Sequence, residues 1–237
     1  MAFPQIADVY NYRESSGSTN HLVPYLIHAQ EDEFIFGIIS GWYTGDIVEY
    51  YDPNDVFQVS STYPGTDEVR LAFFCGKAVG GMFDWLQVST TNPYKLAYII
   101  YRITDHDAVY ASDLDGEWNW AASFGFITPN CPEPDDSVSN DYLWLNFVAY
   151  QGVCSIFTAP SGFSGTVHNT RNDSQETSVG ASSRQYTGSQ ILSSTWINSP
   201  SSYPYITLTV RIPPGSYASG EPGFGIGKPS STIISIE

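Results

Sequence analysis

The stretch that most constrains the fold is Asp141–Tyr150, DYLWLNFVAY. In an extended chain Leu143, Leu145, Phe147 and Ala149 fall on one side. Tyr142, Trp144, Val148 and Tyr150 fall on the other, and Asn146 is the one polar residue between them. A period of two with both sides apolar predicts a central strand covered on both faces, by its own chain or by a neighbouring subunit. Tyr, Trp, Phe and Val suit a pleated surface better than a helix, and Gly152 closes the run.

Similar runs recur along the chain. Residues 4–13 alternate loosely, and His21–Ala29 reads as a near-edge strand broken by Pro24. The charged turn Gln30–Glu33 leads into the buried strand Phe34–Ser40, and Gly41–Tyr51 reads as a polar-aromatic loop. Val56–Ser61, Val69–Gly76, Phe83–Thr90 and Tyr94–Thr104 follow as strands, with Asn92–Pro93 as punctuation. In the last of these Tyr94, Leu96, Tyr98, Ile100 and Arg102 share a face. Glu117–Ile127 is a strand with a bulge. Val153–Thr158, Ser164–His168 and Ser182–Ser189 are shorter candidates, and Asn169–Gly180 reads as an exposed polar loop. Tyr205–Ile212 is the closing strand, stopped by Pro213–Pro214. No stretch sustains a helical period. Gly and Pro, 20 and 15 residues, supply the many tight turns. The expectation is all-β: a two-sheet sandwich of jelly-roll type over 1–214, followed by an extended Gly/Pro-rich C-terminal arm, 215–237.

That arm ends in Thr232–Ile236, TIISI. Ile233 and Ile234 face opposite sides of an extended chain, with Ile236 on the side of Ile234. Such a segment buries both faces only by joining a sheet edge or a groove. Ile233, Ile234 and Ile236 are therefore the candidate partner-binding residues. A frayed terminus is the competing reading.

Charge narrows the partners. With 25 acids against 9 bases the net charge is −16, which argues against a sequence-independent hold on nucleic acid. No apolar run reaches the ~20 residues of a membrane helix, so no membrane partner is expected. The opening MAFPQIADVYNYRES has no basic start leading into an apolar core, so no secretory signal is expected. Cys75, Cys131 and Cys154 have no metal-type spacing, and an odd count leaves at least one thiol free. Cys75 and Cys154 lie in apolar strands, where buried, inert thiols and a reducing compartment are expected.

Signals for chemistry are sparse. Asp105, Asp107, Asp113, Asp115 and Glu117 form an acidic loop, and DLDGE resembles part of a calcium loop but lacks the bidentate Glu that closes one. A solvated acidic loop is the simpler reading, with the carboxylates spread over two sheet edges as a further alternative. His21, His28, His106 and His168 are scattered, and no G-x-S-x-G elbow is present. Gly223–Gly227 follows no strand and opens no helix, so it is not a dinucleotide fingerprint. Trp42, Tyr43, Tyr50 and Tyr51 are either a sugar-stacking platform or ordinary core and subunit contacts. No catalytic residue, cofactor site or metal site is expected, and the protein reads as a non-enzyme.

The succession EDEFIFGII, YRIT followed by Asp105–His106, DYLWLNFVAY, APSGF, SSRQY, SSTWINS and TLTVRIPP resembles a family of virion structural proteins of tailed bacteriophages, often marine ones. The similarity runs from Phe3 to Pro214. In that family the early turn carries Gly–Asp, where Glu31–Asp32–Glu33 stands here. The resemblance implies a β-sandwich component of a phage particle and carries over no catalytic residue. The expectation is a decoration or cement protein on the capsid exterior, contacting the major capsid protein and copies of itself as a homotrimer, assembled in the bacterial host cytoplasm. A tail-associated receptor-binding, carbohydrate-binding or fibre module is the alternative. A depolymerase, needing a carboxylate pair in a groove, is the third reading.

Overall fold

The structure is a computed structural model that describes residues 3–13, 18–23, 29–41, 47–51, 58–62, 70–78, 86–94, 96–108, 115–121, 130–131, 141–151, 156–171, 177–187, 194–195, 197–199 and 205–215. Every regular element among them is a strand. The first eight are β1 (Gln5–Arg13), β2 (Ser18–Val23), β3 (Phe34–Gly41), β4 (Ile47–Tyr51), β5 (Gln58–Thr62), β6 (Arg70–Lys77), β7 (Leu86–Tyr94) and β8 (Leu96–Thr104). Then come β9 (Asp115–Ala121), β10 (Asn130–Cys131), β11 (Asp141–Gln151), β12 (Ile156–Thr158), β13 (Ser164–Arg171), β14 (Thr177–Thr187), β15 (Ser194–Thr195), β16 (Ile197–Ser199) and β17 (Tyr205–Ile212).

Two five-stranded antiparallel sheets dominate. One has the order β1-β8-β3-β6-β5, the other β13-β14-β11-β17-β9. Smaller sheets have the orders β2-β7-β4, β10-β15 and β12-β16. The large sheets share one core, an arrangement compatible with a β-sandwich. Phe34, Phe36 and Ile38 of β3 and Ala97, Ile99, Tyr101 and Ile103 of β8 pack in one cluster with Leu143, Leu145, Phe147 and Ala149 of β11 and Ile206, Leu208, Val210 and Ile212 of β17. Phe147 stands at the junction, 5.4 Å from the Phe36 ring and 6.0 Å from the Tyr101 ring. Each such side chain removed from water is worth ~1.5–3 kcal/mol, so this row is the main driving force for the pairing of the sheets.

The strand predicted at Asp141–Tyr150 is β11, paired in full register with β14 on one side and β17 on the other. Both of its faces are buried, as its pattern requires. Leu143, Leu145, Phe147 and Ala149 enter the shared core, while Tyr142 and Trp144 pack on the opposite face against Phe163. Asn146 is accommodated because the buried Thr209 hydroxyl donates to its Oδ1 at 2.7 Å. On β8 the face holding Leu96, Tyr98, Ile100 and Arg102 is buried away from that core.

Three expectations need correction. Ile47–Tyr51, read as part of a loop, is strand β4 and pairs with β7. Asn169–Gly180, read as an exposed loop, contains the end of β13 and the start of β14, and Thr177 and Ser178 are fully buried. Small hydroxyls can be buried there because they find acceptors. Thr177 Oγ1 lies 2.8 Å from Ser40 Oγ on the facing sheet and donates to the Tyr150 carbonyl at 3.3 Å. Asn92–Pro93, read as punctuation, lies inside β7, which runs on to Tyr94. The ladder to β2 skips between Ser89 and Tyr94 there, so no amide is needed at the proline. The arm from 216 onward, with Ile233, Ile234 and Ile236, lies outside the described residues.

Candidate functional site

Ionisable groups gather at one end of the sandwich, where β3 and β11 begin and where β8, β14 and β17 finish. An antiparallel bridge from His106 to Pro214 and the Gly215 N–H to Asp105 carbonyl bond, 2.8 Å, tie the ends of β8 and β17 together there. The Gln185 amide donates to the Pro4 carbonyl at 3.1 Å, which brings β14 and the start of β1 to the same place.

On the first sheet the centre of this end is Arg102. Its Nε donates to Glu33 Oε2 at 2.7 Å and its Nη2 to Glu33 Oε1 at 2.8 Å, a bidentate fork between two buried side chains. Nη1 donates to the Tyr10 hydroxyl at 3.4 Å and lies 3.9 Å from Asp8 Oδ2. The Gln30 N–H donates to Glu33 Oε2 at 2.8 Å. Burial alone pushes the Glu33 carboxyl up, but the Arg102 fork, the Gln30 N–H and the Arg102 charge outweigh it and hold the group below its ordinary range. Arg102 is held above its ordinary range, chiefly by the hydrogen bond to Glu33. The local chain is shaped to present Glu33. Asp32 takes a left-handed φ of 72°, which Asp tolerates better than most residues, and its N–H donates to the Ala78 carbonyl at 3.1 Å.

His106 closes the same corner. Its Nε2–H donates to the Asp32 carbonyl at 3.0 Å, and its ring tilts against Phe34 at 5.3 Å. Burial pushes its imidazole below the ordinary value. Lys77 pairs with Asp32 at 2.8 Å, a half-exposed contact worth little by itself.

The second sheet handles its arginines differently. Arg211 is 1% exposed, with its guanidinium carbon 4.7 Å from the Tyr142 ring centre and 5.2 Å from that of Trp144. Burial pulls its pKa down to about 10, so it stays charged at neutral pH, and desolvated cation–π contacts are worth ~2 kcal/mol. Arg184, in register with Trp144 on β14, lies 4.6 Å over the Tyr186 ring. The turn Ala159–Phe163 closes on this patch, with the Phe163 N–H donating to the Pro160 carbonyl at 3.0 Å. Gly162 adopts φ +83°, and a Cβ there would meet the Arg184 guanidinium at 2.6 Å.

The acidic residues singled out by sequence are divided. Asp105 and Asp107 are exposed just after β8 of the first sheet, whereas Asp115 and Glu117 belong to β9, an edge strand of the second. Asp113 lies outside the described residues, and among those described no group of His, Cys, Asp or Glu has the arrangement of a metal site. Cys75 is a buried thiol that forms no disulfide, as its apolar strand predicts. Trp42 and Tyr43 lie outside the described residues, and Tyr50 and Tyr51 are placed only as backbone of β4. Sequence reasoning did not single out the Glu33–Arg102 fork. Its signal was present in YRIT, where an arginine interrupts an apolar strand and so requires a buried partner. Chemically the described groups act as a lock: Arg102 is taken up by a carboxylate and Arg184 and Arg211 lie against rings, while the exposed Asp8, Asp32, Asp105 and Asp107 form an acidic rim at the Glu33–Arg102–His106 corner of the first sheet.

No protein-family model matches the sequence, and comparisons with curated proteins and with solved structures find no match.

Proposed function

We propose that the protein is a virion structural protein of a tailed bacteriophage, a decoration or cement protein on the capsid exterior. It would stabilise the shell through contacts with the major capsid protein and with copies of itself in a homotrimer. The observation that carries this reading is strand order. In the first half β1-β8-β3-β6 lie together in one sheet and β2-β7-β4 in another. That order supports a jelly roll, the double Greek key that viral capsid proteins share with lectins and cupins. The motif succession from EDEFIFGII to TLTVRIPP supports the phage assignment, and a net charge of −16 with an acidic rim suits an outward-facing surface rather than one laid on packaged DNA.

In this reading residues 215–237 form the connecting arm. Ile233, Ile234 and Ile236 add a strand to the sheet edge of a neighbouring subunit, and the Gly/Pro-rich stretch before them gives reach. The test is to delete 215–237 and add the truncated protein to particles lacking it, scoring occupancy by cryo-EM. The expected result is loss of capsid binding with the sandwich still folded. Undiminished occupancy would reject the role of the arm. A handful of copies per particle, all on tails, would instead favour the receptor-binding alternative, since a shell protein is present in hundreds.

A further inference from the structure

We propose that the chain consists of one β-unit used twice, residues 5–104 and 115–212, and that the core between the two large sheets is an interface at which each unit is the other's specific partner. Position by position, the strands of the second unit repeat those of the first, with β15 and β16 together filling the seventh position. The first large sheet reads 1-8-3-6-5 in these positions, and β9-β17-β11-β14-β13 reads 1-8-3-6-5 as well. The outer strands agree. Position seven pairs with positions two and four in the first unit as β2-β7-β4, and in the second as β10-β15 and β16-β12.

Register makes the match residue by residue. Asp8 stands opposite Arg102, and Asp115 opposite Arg211. Phe34 is opposite both Ile103 and Lys77, and Leu143 is opposite both Ile212 and Gln185. Ser60 faces Phe73 as Val167 faces Ala181, and His21 faces Val88 as Asn130 faces Thr195. The corresponding residues are separated by 107 positions (Asp8 to Asp115), 109 (Phe34 to Leu143), 108 (Lys77 to Gln185) and 109 (Ile103 to Ile212). A near-constant separation over strands of such different sequence is what one unit copied in tandem produces.

The buried arginine is part of the copy. Arg102 and Arg211 hold the same place, but the register that puts Glu33 beside Arg102 puts Tyr142 beside Arg211. The carboxylate fork of one unit is therefore replaced by a ring contact in the other.

The chain then has two classes of contact. Among the described residues every strand ladder lies within one unit, and the His106–Pro214 bridge joins them outside any ladder. The units are held together mainly by side-chain packing in one cluster, which includes Phe36, Ile99 and Tyr101 of the first and Leu145, Phe147 and Leu208 of the second, with the Ser40–Thr177 hydroxyl contact and, at one end, the Gln185–Pro4 and Gly215–Asp105 hydrogen bonds. This interface is independent of any role in a virion.

The experiment uses the full-length chain with a protease site placed within 109–114, cut while folded, then unfolded in denaturant and refolded by dilution. A second protein carries the site within 79–85, where a cut parts β7 and β8 from β1 to β6. The expected result is that the pair cut at 109–114 regains the native far-UV spectrum and elutes as one 1:1 species, while the pair cut at 79–85 loses both. Equal recovery of the two pairs, failure of the first, or recovery of the second alone would each overturn the proposal.

Discussion

Single residues decide this fold where burial leaves them no alternative. Leu145 is fully buried and points into the core shared by both sheets. Leu145→Asp would place an unpaired carboxylate there at a cost of several kcal/mol, a large share of the ~5–15 kcal/mol that stabilises a domain. The variant is expected to be insoluble or unfolded by circular dichroism, and an unchanged melting temperature would contradict the strand's facing. Glu33 and Arg102 set a second demand. Removing one partner strands the other charge, so Glu33→Gln and Arg102→Met should each cost ~3–5 kcal/mol, while the double variant should recover part of the loss. The pair also fixes a pH response. Because the Glu33 carboxyl is depressed on folding, its contribution is full above the unfolded value of about 4.3 and is lost as pH falls through the lower folded value. His106 is depressed too, by burial, so the neutral ring favours folding above about pH 6.5 and that contribution fades as pH falls through its folded value. Thermal melts from pH 7 to 3 should show stability falling in these two windows, and Glu33→Gln should flatten the lower one.

At the scale of elements, the central strands depend on close contact between neighbours. A Cβ at Gly37 of β3 would overlap the ring of Phe74 on β6, which is itself fully buried. Gly37→Ala is expected to cost ~1–3 kcal/mol by overpacking, with partial rescue by Phe74→Leu, measured by denaturant unfolding. Strands rich in branched and aromatic residues, β3, β8, β11 and β17, were legible in the sequence because their burial is written in side-chain type. The start of β14 was not. Thr177 and Ser178 read as loop residues, and for Thr177 it is partners far away in sequence, the Tyr150 carbonyl and the Ser40 hydroxyl, that allow burial. The fork at Glu33 was half legible: Arg102 in an apolar strand announces a buried charge, but its partner 69 residues away is a matter of register. Likewise, the division of the acidic residues between two sheets follows from strand order, which no local pattern encodes.

At the scale of the whole molecule, the question is whether the two large sheets behave as one cooperative body. Among the described residues their ladders are separate and meet only at the His106–Pro214 bridge at one end, so most of the cooperativity is expected through side chains in the shared core. Phe36 of the first sheet and Phe147 of the second stack with ring centres 5.4 Å apart and an interplanar angle of 25°. Aromatic pairs of this kind contribute ~0.5–1.5 kcal/mol beyond area burial. A double-mutant cycle with Phe36→Leu and Phe147→Leu is therefore expected to give a coupling energy of that size, with each single variant losing stability through its cavity. The same variants test cooperativity directly. If the core links the sheets, Phe36→Leu should speed the global exchange of β11 and β17 amides, although it touches neither strand's hydrogen bonds. A coupling energy near zero, with exchange on β11 and β17 unchanged, would mean that the sheets are stable independently and that the aromatic junction only fills space between them.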